Sequence, residues 1–336
     1  MSPGQRAAQL IMVGVPANDP AADVALVARS GVGGVFLRGR SARPMTSVAA
    51  DVAALQSAVA AAGAVPLHVS VDQEGGQVQT LSGEGMPRIP SAHQQGLLNA
   101  EQLTVRTREW ADALVRAGVT LNLGPVADVV PAGTESANPP IGVSDRAFGS
   151  TPEAVGVDVQ TVVGSAAQAG LLSTVKHFPG LGRVTANPDT STKAVDRVTS
   201  STDPALAPFS EAIGAGAAAV MVSSASYPSL DPDNLAVFSP AIVTGLLRTR
   251  LGFEGVVMSD DLGAAAAVAA VSPGQRAVRF VGAGGDVVLT IRESDVAEMT
   301  AELQQAASQS PEFFARLQAS VHRVLASKVA AGLVHC

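Results

Sequence analysis

The chain has 336 residues, 47% hydrophobic and 15% charged, which supplies material for a large core and argues against disorder. With 22 Lys and Arg against 29 Asp and Glu the formal charge is -7, and no basic cluster could follow a phosphate backbone, so no nucleic acid partner is expected. The length fits two ordinary domains or one large α/β barrel, a fold that typically takes about 250 residues before its loops are elaborated.

In chain order, Ser2-Pro3-Gly4-Gln5 offers an N-cap, a proline at the first helical position and a capping-box glutamine, so a short helix opens there. The same six residues, SPGQRA, recur from Ser272, a helix-start solution used twice rather than a domain repeat. Leu10 to Val15 reads as a buried strand, Asp19 to Ser30 as helix, Gly34 to Leu37 as strand and Ser47 to Ala62 as an Ala-rich helix. From there nearly every strand ends in a polar residue. Leu67 to Val71 runs into Asp72, Val119 to Val126 towards Asp128, and Ser173 to Val175 into Lys176-His177. Ala219 to Val222 runs into Ser223-Ser224, Gly255 to Met258 into Ser259-Asp260-Asp261, and Asp286 to Thr290 towards Arg292. Helical stretches fit between them at 100–117, 151–169, 203–213, 239–250 and 274–282.

Eight continuous apolar strands alternating with helices imply parallel pairing with both faces covered, and eight such units close into a (β/α)8 TIM-type barrel. We expect a single α/β domain over 1–336, with helices at about 293–332 completing the outer layer. An open doubly wound sheet is the alternative, but GVGGVFLRG lacks the G-x-G-x-x-G spacing in its strand-to-helix context. In a barrel, residues at the C-terminal ends of the strands converge on one mouth. Asp72, Asp128, Lys176, His177 and Asp260 then meet there, although a lone Lys-His pair before a Pro-Gly loop is more often an ordinary strand-to-loop transition.

Carboxylates beside a lysine and an imidazole suit a polyhydroxylated ligand, and a carboxylate at the end of a buried strand suits covalent glycosyl transfer. The five histidines include no pair at metal-ligand spacing, so no metal is expected, and nothing argues for a cofactor. No G-x-S-x-G elbow marks a serine hydrolase. The single cysteine, Cys336, allows no internal disulfide. No apolar run is long enough to span a membrane, and the first residues lack a signal-peptide pattern. The expected compartment is therefore the cytoplasm, or the cell envelope or exterior if a leader was removed.

The segments VDQEGGQVQ (71–79), LNLGPVADV (121–129), IGVSDRAFG (141–149), KHFPGLG (176–182) and VVMSDDL (256–262) together resemble glycoside hydrolase family 3, in particular its single-domain bacterial β-N-acetylglucosaminidases. The resemblance implies a barrel and a retaining exo-glycosidase acting on N-acetylglucosaminides such as cell-wall fragments. It makes Asp260 the nucleophile, with Asp261 a locally bonded neighbour, and gives Asp72, Arg146, Lys176 and His177 to the sugar. Asp128 reads as structural.

The departures from the family pattern are as informative. The family's loop acid/base is a histidine in an Asp-Ser/Thr-His element after KHFPGHG. Here the loop reads NPDTST, with Ser191 where the histidine is expected and Leu181 in place of the motif's own histidine. Gln77 and Thr80 stand where arginines are usual. Asp189 is the candidate acid/base, because a buried carboxylic acid can serve as proton donor. The alternatives are a catalytically silent sugar-binding barrel, or a glycosidase whose sugar or acceptor has changed, with phosphorolysis or transglycosylation replacing hydrolysis. Sparse aromatics, 3% of the chain, favour a small pocket over a long glycan platform, with Phe148 and Phe178 as possible linings and Trp110 in the core.

Overall fold

The computed structural model describes residues 1–334; His335 and the sole cysteine, Cys336, lie outside the described residues. Eight short strands, apolar on both sides, form one parallel sheet: β1 Ile11–Pro16, β2 Gly34–Arg38, β3 His68–Val71, β4 Leu121–Asn122, β5 Leu172–Phe178, β6 Ala219–Val222, β7 Val256–Ser259 and β8 Val288–Thr290. Their spatial order follows the chain, with β8 beside β1. The remaining seam, β7 to β8, is joined by a bridge between Met258 and Val287 and by Ser259 N–H donating to Val287 O at 2.9 Å and Leu262 N–H to Leu289 O at 2.9 Å. The sheet is thus the closed (β/α)8 barrel that the strand-helix alternation implies.

Two strands depart from expectation, and both carry the site. The segment 119–126 pairs regularly only over Leu121–Asn122, because Pro125 has no N–H to give to a ladder; an isolated bridge from Val126 to Lys176 resumes contact beyond it. In contrast β5 continues past Val175 to Phe178, so Lys176 and His177 lie on the strand instead of leaving it at its end. Its register against β6 shifts between Val175 and Phe178, and the Lys176–His177 and Phe178–Pro179 peptide bonds are cis.

Helices cover the barrel. The first, α1 (Pro3–Ala8), has the full capping box: Ser2 Oγ accepts from Gln5 N–H, and the Gln5 side chain accepts from Ser2 N–H. The second SPGQRA opens the helix Pro273–Ala283 without that box, since Gln275 is drawn to Glu302 at 3.0 Å and Gly274 N–H donates to Glu298 at 3.0 Å. The expected helix 19–30 begins as a 3-10 turn at Pro20–Asp23, and Ala241–Arg250 has i to i+5 bonding. The helices Val296–Gln309 and Pro311–Ala330 finish the chain.

The N-terminal end of the barrel is sealed by the last helix. Lys328 is fully buried there, its Nζ donating to Gln9 Oε1 at 2.8 Å. His68 at the foot of β3 has Nε2 at 2.9 Å from Ser327 Oγ and Nδ1 at 3.1 Å from Thr120 Oγ1. A space of only about 20 Å³ remains at that end.

Candidate active site

At the opposite, C-terminal end lies a cavity of about 340 Å³. Its polar lining is Asp72, Arg146, Lys176, His177, Asn187, Asp189, Asp260 and Asp261, and Phe36, Leu123, Leu181, Met221, Leu289 and Ile291 form apolar wall. All six proposed site residues therefore face one space, although they come from segments spread between residues 72 and 260. Phe148 and Phe178 do not line it; Phe178 packs edge-on against Phe209, 5.2 Å between centroids, and the aromatic in the cavity is Phe36. Trp110 is buried on the helix Ala100–Arg116.

One side of the cavity is a continuous polar chain. Lys176 Nζ contacts Asp72 Oδ1 at 2.5 Å and Glu74 Oε1 at 2.7 Å. Glu74 takes a two-pronged bond from Arg146, Nε to Oε2 and an Nη to Oε1, both 2.8 Å. Arg146 also donates to Pro140 O at 2.7 Å and stands 3.4 Å from His177 Nε2. On its other edge, His177 Nδ1 faces Asp128 Oδ2 at 2.7 Å. Guanidinium can only donate and carboxylate only accept, so this arrangement carries the imidazole proton on Nδ1.

Burial alone would raise the Glu74 carboxyl, but Arg146 and Lys176 outweigh it and hold the group well below the usual carboxylate range. Burial alone would lower Lys176, yet Asp72 and Glu74 win and raise it. Both cations in this wall are therefore charged.

Asp128 is fully buried and does not line the cavity. Its Oδ1 accepts from the His177 and Leu181 backbone N–H groups at 3.2 and 2.8 Å, while Oδ2 meets the imidazole. It thus orients His177 and the start of the following loop. That loop presses on the backbone beyond β4: a side chain at Gly182 would begin 1.8 Å from Val129 O, so only glycine fits. Asn138, 2% exposed, donates to Leu181 O and Val184 O at 2.7 and 2.8 Å and accepts from Ile141 and Gly142 N–H, binding the loop to the segment that leads to Arg146.

Asp260 follows β7, and its Oδ1 accepts from Asp261 N–H at 2.9 Å. Asp261 accepts backbone N–H bonds from Gly263 and Ala264 at 2.9 Å and Ile291 at 3.0 Å, which stitch the loop after β7 to the loop after β8. Behind them Arg276, 6% exposed, donates to Leu262 O and Gly263 O.

The loop 183–193 contributes Asn187, Pro188 and Asp189 to the cavity lining. Arg183 anchors it by a two-pronged bond to Asp203 at 2.7 and 3.1 Å. Asn187 Oδ1 accepts from Asp189 N–H at 2.9 Å, and Ala266 N–H and Ala267 N–H donate to Asp189 O and Pro188 O, docking the turn on the loop that carries Asp260. Asp189 keeps an exposed outer side while its residue lines the cavity. Crowding by protein, then the charge of Asp260, pushes its carboxyl up to about 6, against the opposing pull of His177 and Arg146. Ser191, the position of the expected histidine, does not line the cavity, and neither do Gln77 and Thr80; Leu181 does, as apolar wall.

Three contributors escaped the sequence reading: Glu74, Asn187 and Asn138. Glu74 sits inside VDQEGGQVQ, where its burial depends on Gly75, at φ +106° with Pro90 O where a side chain would stand. The amide of Asn138 has no sequence signal beyond its place before a Pro-Pro turn. Among the described residues no cluster of metal-ligating groups is found, and no helix is long and apolar enough to cross a membrane.

Comparison with known proteins agrees with this geometry. Residues 4–327 match the model of the glycosyl hydrolase family 3 N-terminal domain. The crystal structure of a β-N-acetylhexosaminidase from Beutenbergia cavernae is 43% identical, with a TM-score of 0.95 over 98% of this chain and 99% of that one. The β-hexosaminidase LpqI of Mycobacterium tuberculosis is 31% identical over 316 residues, 91% of this chain and 77% of that protein. A β-hexosaminidase of Stenotrophomonas maltophilia is 35% identical over 250 residues, 71% of each. The chain belongs to glycosyl hydrolase family 3 and is a glycoside hydrolase built on that family's N-terminal barrel.

Proposed function

We propose that this barrel is a retaining exo-β-N-acetylglucosaminidase in which Asp260 is the nucleophile and Asp189 the acid/base. Asp72, Arg146, Lys176 and His177 hold the hydroxyls of one terminal sugar, whose size suits a cavity of about 340 Å³. In the first step the Asp260 carboxylate forms a bond to the anomeric carbon as the glycosidic C–O bond breaks, and the Asp189 proton passes to the departing oxygen. In the second, Asp189 as carboxylate takes a proton from water, the hydroxyl bonds to the anomeric carbon, and the ester to Asp260 breaks.

The observation that carries this reading is that two carboxylates from different loops, Asp189 and Asp260, line one cavity. Asp189 is pushed up to about 6, and Asp260 contributes to that rise. A carboxyl raised in this way beside a second carboxylate can act as the acid of a retaining pair. The β-hexosaminidase names of the relatives support the choice of sugar. Water is the acceptor, and cell-wall-derived glycosides ending in N-acetylglucosamine are the natural substrates.

The test is hydrolysis of 4-nitrophenyl N-acetyl-β-D-glucosaminide and of an unactivated chito-oligosaccharide by the wild type and by Asp189→Asn. The variant should lose about 10² to 10⁴ in kcat/KM on the unactivated substrate and far less on the aryl glycoside, whose leaving group needs no proton. Equal losses on both, or none, would remove Asp189 from this role. Saturable sugar binding without turnover of either substrate would support the silent-barrel alternative.

A further inference from the structure

We propose that Glu74 is the positioning residue of the sugar wall: it does not touch substrate but sets Arg146 and Lys176 in place for it. The inference rests on the glycosidase reading above and extends it to a residue outside the cavity lining.

Arg146 and Lys176 both line the cavity, Lys176 buried and Arg146 half-buried in its wall, where the charge of Arg146 works against that of Lys176. Two cations side by side in a region of low dielectric repel, and each retains rotatable bonds through which to move apart. Glu74 lies between them. Its Oε2 is taken by Arg146 Nε and its Oε1 by both an Arg146 Nη and Lys176 Nζ, all within 2.7 to 2.8 Å. Such a two-pronged contact fixes the plane of the guanidinium as well as its position. The Glu74 side chain is 3% exposed, and its residue does not line the cavity.

The backbone beneath is fixed in turn. Glu74 O accepts from Gln95 Nε2 at 2.8 Å, and the preceding residue, Gln73, is clamped to Asn122 at 3.1 and 3.2 Å at the end of β4. The chain Asp72, Lys176, Glu74, Arg146, His177, Asp128 therefore runs through Glu74, and four of its six members face the sugar. Structural ion pairing alone would be an insufficient reason for this arrangement, because a buried ion pair is weak evidence of stability. What the pairing supplies is a fixed spacing between two donors that must meet neighbouring hydroxyls together.

The experiment is a double-mutant cycle on the full chain with Glu74→Gln and Arg146→Ala, singly and combined, at a temperature where each remains folded by circular dichroism. The readouts are kcat/KM on 4-nitrophenyl N-acetyl-β-D-glucosaminide and the inhibition constant of free N-acetylglucosamine. Glu74→Gln should lower kcat/KM by roughly 10- to 100-fold and weaken inhibition, with most of the change in KM, the signature of lost binding in ground and transition states alike. Added to Arg146→Ala, it should cost several-fold less than it does alone, since its partner is already gone. Glu74→Asp, which keeps the charge, should fall between wild type and Glu74→Gln.

Losses that multiply, or a Glu74→Gln enzyme within about twofold of wild type, would overturn the proposal. So would failure of both Glu74 variants to fold, since Glu74 would then be needed for the fold itself. If the wild type binds N-acetylglucosamine but turns over no substrate, the glycosidase reading fails instead, and the same cycle read by calorimetric affinity still decides the role of Glu74.

Discussion

The barrel buries one lysine at each end, and the two are shifted in opposite directions. At the mouth, Lys176 lies between Asp72 and Glu74, and these carboxylates overcome burial and keep it charged. At the sealed end, the neutral Gln9 amide is the one hydrogen-bond partner of Lys328 among the described residues, and burial pushes the lysine down to about 7. His68 beside it is pushed down to about 3, by burial and then by Lys328. Burial thus does not determine charge; the partners that come with it do. The mouth holds its lysine charge by pairing it with carboxylates, and the sealed end weakens it by burial.

The comparison breaks most readily at the lysines themselves. Lys176→Met should destabilise the protein by about 3 to 5 kcal/mol, because it leaves Asp72 and Glu74 short of a cation, and should abolish turnover. Denaturant unfolding and activity assays would show both. Lys328 behaves the other way. Its folded-state value lies below that of a free lysine, so the unfolded chain binds the extra proton between pH 7 and 10.5, and stability rises with pH across that window. For the shift to about 7 the rise is up to about 5 kcal/mol. Unfolding free energies measured from pH 7 to 10.5 should show this component in the wild type and not in Lys328→Met. A variant that keeps the full rise would place its origin elsewhere.

Asp189 sharpens the contrast from the side of function. With the carboxyl up near 6, its acid form is present below that pH and lost above it. The kcat/KM for a glycoside with a poor leaving group should therefore fall as pH rises through about 6, and this limb should vanish in Asp189→Asn. At the sealed end, by contrast, His68→Gln should leave the pH profile of kcat/KM unaltered. The smallest effect separates the two identical helix starts. Ser2→Ala removes a formed capping box and should cost about 0.5 to 2 kcal/mol, whereas Ser272→Ala, with no side-chain cap to lose, should cost only a few tenths, as thermal unfolding would resolve.

Most of the barrel was legible because apolar strands and helical stretches alternate without interruption, and the convergence of strand ends made Asp72, Lys176, His177 and Asp260 legible as cavity residues, whereas Arg146 and Asp189 came only with the family resemblance. The exceptions have particular causes. Periodicity does not see a missing donor, so the strand through Pro125 was overextended. Nor does it see pairing that resumes beyond an irregular register, so Lys176 and His177 were placed just outside β5. Glu74 was invisible as a site residue because its role depends on two cations 72 and 102 positions away, brought to it only by closure of the barrel. The loop 183–193 shows another limit. The order of its residues names Asp189 as the candidate acid, but not Asn187, which lines the cavity and holds the turn that carries Asp189. That turn is a hydrogen-bond pattern, not a spacing.

The most direct test of the account is to incubate the enzyme with a fluorinated aryl N-acetyl-β-glucosaminide that slows release of the glycosyl group, and to map the modified peptide by mass spectrometry. We expect one glycosyl ester on Asp260, absent from Asp260→Ala. A label on Asp261 or Asp189, or turnover that persists in Asp260→Ala, would contradict it.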